Sequence, residues 1–357
     1  MYSIKNYALL FLMGFSLIFI TSCGEDDSDD EPITSFGDGI FITNLNSETS
    51  LKGAISYYDR TREEVVNDIY VKKNSVPLGE EVYSMHIFNG KAYIVVANAG
   101  MVIVADPVTM ETLATIDGFQ LPHHFIPVSN SKAYVSQWGN DGVTGAVKVV
   151  DLNSNSITGT IPTRGGPENM IKRANSVYVA MTGGFFLDSI VTVINSTTDQ
   201  ISSNIAVDLV PSSMQLDANS DLWVLCRGLI DQQNSANNRA GQLMKLVNDQ
   251  VDLSIQVASA ASDLVIDNSK TTLYFLNPEA ASWAYEHPIS STSLSTVPFI
   301  DISISHLGHD PETDLLIGSD IGNTQQSGDF VLFDAAGNEM DRFEVGILPS
   351  GFWAKAL

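Results

Sequence analysis

PENMIKRANSVYVAMTGGFFLDSIVTVINSTTDQISSNIAV, residues 167–207, decides the fold of this chain. It opens on a proline and passes through two short β-branched or aromatic runs, VYVAM (177–181) and VTVIN (191–195). The polar turn STTDQ follows, then a weaker run. Runs of this length, bounded by Gly, Asn, Asp and Ser and lacking helical spacing, read as antiparallel strands. The same unit recurs outward in both directions. Its central aromatic or bulky residue reappears as Tyr93, Tyr134, Tyr178, Trp223, Tyr274 and Leu316, 41 to 51 residues apart. Before it come the opening strands PHHF (122–125), PENM (167–170), PSSM (211–214) and PSGF (349–352). After it come VIVADPVTMET, VKVVDLNSNSI, VTVINSTTDQI and VLFDAAGNEM.

A repeat of 40 to 50 residues with three or four strands is the signature of an all-β propeller. Units fall near 82–118, 123–161, 167–207, 211–257, 261–300 and 304–345. The N-terminal runs GIFITNLN, GAISYYD and VVNDIYV lack an opening strand, and PSGFWAKAL at the C-terminus is an opening strand alone. Joined, they make a seventh blade and close the ring without exposed edges. Unit 261–300 is the least regular, so six or eight blades stay open.

The N-terminus has a different character. Lys5 and the 13-residue apolar run 8–20 form an export signal too short to span a bilayer. Ile20-Thr21-Ser22-Cys23 looks like a lipobox, with Cys23 the lipidated first residue of the mature protein. The domain plan is a signal peptide at 1–22, an acidic lipid-anchored tether at 23–38 and the propeller at 39–357. An ordinary secretory signal with a chance cysteine is the alternative. With Cys23 acylated, Cys226 has no disulfide partner. A formal charge of −24 makes nucleic acid a poor partner.

GIFITNLNSETSLKGAISYYDRTREEVVNDIY followed by PLGEEVYSMHIFNGKAYIVV resembles the opening of the surface-layer-like propeller lipoproteins of Bacteroidetes, a YVTN-repeat family. The likeness covers about residues 39 to 357. It implies outer-membrane attachment through Cys23, and GEDDSDDE behind that cysteine is similar to a signal for display on the cell exterior. Some relatives capture cobalamin and hand it to a TonB-dependent transporter, so the resemblance implies these partners.

In a propeller the opening strands line a central channel, and the loops around them share one face. The expected funnel residues are Tyr83, His123, His124, Glu168, Asn169, Asp263 and His306. Water-facing channel positions tolerate such polarity without a ligand. In residue type they also resemble lactonase funnel sites, where oxygens hold a divalent cation. No HxH, HExxH or DxDxDG spacing accompanies them, and no metal or cofactor is expected. The loops after the second strands carry Gln137, Trp138, Asn140, Phe185, Phe186, Arg227, Trp283 and Tyr285. Turn chemistry does not call for aromatics, which either pack on neighbouring blades or form a binding surface. With Asn, Gln and Arg donors they suit a corrinoid or a glycan. No nucleophile elbow, phosphate loop or dinucleotide fingerprint is present. The expected function is ligand binding without catalysis. A metal-dependent lactonase-like hydrolase and a structural or adhesive surface protein are the alternatives.

Overall fold

The computed structural model describes residues 33–46, 52–278, 281–323 and 325–355. The stretch read as a signal peptide, Cys23 and the acidic run lie outside them. Residues 34–357 form one compact unit. Packing begins just ahead of Gly39: Phe36 is buried against Phe41 and Tyr57, and its N–H donates to the Val108 carbonyl at 2.7 Å.

The unit is all-β and propeller-like, built from small antiparallel sheets. The strands Pro167–Arg173, Ser176–Met181, Ile190–Asn195 and Gln200–Ala206 pair in that order, as the quoted stretch predicts. Equivalent four-stranded sheets span 82–117, 122–162 and 211–257. Residues 262–288 make a three-stranded sheet. The outer strand of that unit is replaced by an irregular segment whose Ile300 bridges Ala284. This is the unit that read as least regular.

Burial follows position within each sheet. Second strands such as Leu222–Cys226 are buried along their whole length, because neighbouring sheets cover both faces. Outer strands such as Gln200–Ala206 are largely exposed. Polar turns are built alike throughout: Asp106, Asp151, Asn195, Asp217, Asp267 and Asp334 each accept backbone N–H groups two to five residues ahead. Two of the repeated Tyr hydroxyls reach across to a turn of the next sheet. Tyr178 donates to Asp249 at 2.8 Å, and Arg173 pairs with the same carboxylate at 2.6 Å. Tyr134 and Lys132 meet Asp199 in the same way.

The long strand Glu339–Lys355 joins the chain ends. Its first part pairs with Ser327–Phe333 and its second with Gly39–Asn46, matching Gly39 to Lys355. The partly buried Arg60 guanidinium reinforces this closure by holding Asp38 and Asp310. One expected strand is different: VVNDIYV gives a strand only to Val66 and then the short helix Ile69–Asn74. Asp68 and Ser75 turn the chain with left-handed backbone at its two ends, Ile69 and Tyr70 are buried, and the Asn74 amide donates to the Met110 carbonyl.

The opening strands touch one another in chain order, and Glu339–Lys355 returns to Val82–Phe88. Most of them shift register against their second strand near the start. The shifts lie between Val82 and Ser84, Pro122 and Phe125, Pro167 and Met170, Pro211 and Ser213, and Ser262 and Val265. A β-bulge breaks the strict alternation of side chains and re-aims them. Tyr83, His123, His124, Glu168, Asn169 and Asp263 all stand in these bulges.

Candidate functional site

Glu168 is the centre of the site. Its side chain is almost wholly buried, and its carboxylate accepts four hydrogen bonds. Tyr83 O–H and His124 Nε2–H donate to Oε1 at 2.8 and 3.1 Å. His123 Nδ1–H and Trp138 Nε1–H donate to Oε2 at 2.9 and 2.8 Å. A regular strand would send the adjacent His123 and His124 to opposite faces. The bulge brings both to one carboxylate. Burial pushes the Glu168 pKa up, but the charges and hydrogen bonds of His123 and then His124 outweigh it and hold the carboxyl well below its usual range. Burial, then the neighbouring Glu168, raises the Tyr83 phenol far above its ordinary value.

The four donors are also a ring system. Tyr83 stacks on His123 at 3.9 Å between centroids, His123 stacks on Trp138 at 4.4 Å, and Phe185 meets Trp138 edge-on at 6.2 Å. Glu168 thus fixes three rings in one track. Phe185 and Phe186 continue it into solvent, 62% and 66% exposed, beside the exposed Val143 and Leu187. Their loop is held in place. Thr182 N–H and Oγ1–H both donate to the Gly166 carbonyl, and Arg164 pairs with the buried Asp188 at 2.9 Å. Gly142 has φ 62°, and a Cβ there would stand 2.2 Å from the Phe185 ring. Only glycine admits this contact.

The remaining expected residues divide. Asp263 and His306 form a separate pair at 3.3 Å. Burial lowers the His306 pKa, but its bond to Asp263 raises it further, for a net rise. Asp263 Oδ2 also accepts Leu307 N–H at 3.2 Å, so it ties two opening strands together. Ser84 and Ser213 do the same, bonding the His123 carbonyl and Leu264 N–H. Among the described residues Asn169 Oδ1 has no hydrogen-bond partner. Gln137 is buried and accepts Gln120 N–H, whereas Asn140 and Arg227 are exposed. Trp283 and Tyr285 are corrected: residues 283–288 form a strand, Tyr285 is buried in the core and Trp283 packs against it. The irregular unit shortens the loop in which they were placed. Val143 and Leu187 escaped notice, though the apolar triplet Phe185-Phe186-Leu187 between polar turns was the signal.

Among the described residues no group of three His, Cys, Asp or Glu side chains is arranged to hold a metal ion. His86 is a separate case: burial lowers its pKa to about 4, and its ring lies against Phe125.

A propeller-like chain with a buried carboxylate organising stacked rings at its channel defines a class of fold and site. The family is then plain: residues 38–335 match the model of DUF5074, a domain of unknown function, and the chain belongs to that family. No curated protein matches the chain. Among solved structures, a quinonprotein alcohol dehydrogenase-like protein from Bacteroides thetaiotaomicron is similar at 15% identity and TM-score 0.66, over 90% of this chain and 79% of that one. A candidate 6-phosphogluconolactonase from Bacteroides fragilis aligns at 10% identity and TM-score 0.62, over 89% and 98%. A functionally unknown protein from Desulfotomaculum acetoxidans aligns at 11% and 0.65, over 90% and 99%. At such identities the likeness shows the fold alone.

Proposed function

We propose that this chain is a cell-surface lipoprotein, anchored in the outer membrane through Cys23, that binds a large polar organic molecule without chemical turnover. Its fold is a seven-bladed propeller of the surface-layer-like, YVTN-repeat kind. The ring of opening strands, and the pairing of Gly39–Asn46 with the C-terminal strand, support that count. The partner is a TonB-dependent transporter, and cobalamin is the first ligand to test, with glycans next.

The observation that carries the binding function is the ring track. Tyr83, His123 and Trp138 are stacked and anchored on one buried carboxylate, and the track runs out into the exposed Phe185 and Phe186. Exposed aromatics on a pinned loop stay available to a ligand. A hydrolase working through Glu168 would need that carboxylate free to move a proton. Both Glu168 oxygens are instead committed to protein donors. Titration calorimetry with cobalamin and a glycan panel tests the proposal, on the protein itself and on Trp138→Ala. Binding that weakens in the variant is expected. Turnover of a lactone that chelator abolishes would favour the hydrolase instead.

A further inference from the structure

We propose that Arg227 is the anion-recognition residue of this site, and that the ligand is an organic anion: an aromatic or polycyclic body bearing a carboxylate or phosphate. The proposal rests on the binding function above and adds the ligand's charge.

The chain has seven arginines among 42 acidic residues. Arg60, Arg164, Arg173 and Arg342 are paired to carboxylates. Arg227 is exposed, and among the described residues its guanidinium has no carboxylate within salt-bridge distance. On so acidic a surface, an unpaired guanidinium beside the channel is a place where a negative group gains both charge and paired donors.

The position of Arg227 is fixed rather than incidental. Its N–H donates to the Val210 carbonyl at 2.9 Å, and its carbonyl accepts Ala260 N–H at 2.7 Å. Val210 and Ala260 lead into the opening strands Pro211–Leu216 and Ser262–Ile266, so the backbone of Arg227 is clamped at the channel rim. Its charge also reaches two other opening strands. It opposes the rise that burial and Glu168 impose on Tyr83, and it joins burial against the net rise that Asp263 gives His306. Tyr83 is the inner end of the ring track. A ligand with its anionic group at Arg227 and its apolar body along Trp138 and Phe185 would meet complementary chemistry at both ends.

Two fluorescent probes with the same aromatic body separate the contributions. 8-Anilinonaphthalene-1-sulfonate is anionic, and N-phenyl-1-naphthylamine is its neutral counterpart. The protein is expected to bind the sulfonate about tenfold or more tightly, the worth of one charge-assisted contact. Arg227→Gln should bring the sulfonate to the neutral probe's affinity, leave the neutral probe unchanged and leave the thermal midpoint unchanged. Arg227→Lys should fall between. Phe185→Ala should weaken both probes. Sulfonate affinity unaffected by Arg227→Gln overturns the proposal alone. Probes indifferent to Phe185→Ala, or no binding of either probe, overturn the loop-face site as well.

Discussion

Replacing Glu168 by Gln isolates the charge at the centre of the site. The carboxylate accepts four hydrogen bonds, from Tyr83, His123, His124 and Trp138. A glutamine amide keeps one oxygen, which can still accept two of them, and turns an NH₂ group toward the other two donors. Two buried donors lose their acceptor at about 1–3 kcal/mol each. Removing one partner of a buried charged set costs a similar total, about 3–5 kcal/mol. A loss near 3 kcal/mol is expected, or roughly 4–5 °C in Tm for a chain of this size. Denaturant unfolding at pH 7 measures it, with near-ultraviolet circular dichroism following the freed Trp138 indole.

The pH dependence has a definite sign. The folded carboxyl titrates below its unfolded value, so its stabilisation is present above about pH 4.3, the ordinary glutamate value, and is lost as pH falls through the folded value. The difference between the two proteins should therefore be full at pH 7 and begin to shrink only in acid. A loss under 1 kcal/mol at pH 7, or a gap that widens in acid, would refute the assignment of Glu168 as an ionised anchor.

Other perturbations separate stability from binding. Arg60→Met leaves the buried Asp310 without its cation and should cost about 3–5 kcal/mol in denaturant unfolding. Tyr178→Phe removes one hydrogen bond to Asp249 and should cost about 1 kcal/mol by the same measurement. Phe185→Ser, at a ring already in solvent, should move the unfolding midpoint by less than about 0.5 kcal/mol while reducing ligand affinity in calorimetry. Cys226 is buried, and burial raises its thiol to about 12. It should resist a thiol reagent in the native protein and react once the chain is unfolded.

The repeat was legible because each unit spells out its own local structure. Pro opens a strand, a bulky residue fills the sheet-to-sheet core, and Asp or Asn caps a turn. The placement of Tyr83, His123, Glu168 and His306 on opening strands was legible for the same reason. Which of them touch was not legible. That depends on bulges that rotate His123 and His124 to one side, and bulges are set by pairing with a strand some ten residues away. Trp138 reaches Glu168 across two sheets, a contact no local pattern encodes. Tyr285 was misplaced because an irregular unit starts its third strand at Trp283, inside the stretch that reads as loop.

Hydrogen exchange on the protein with and without the tightest-binding compound of the cobalamin and glycan panel tests the binding face most directly. Protection confined to residues 138–145, 182–188 and the segment around Arg227, and absent in Trp138→Ala, is the expected result. Protection elsewhere, or the same protection in Trp138→Ala, would contradict a site built on the ring track anchored by Glu168.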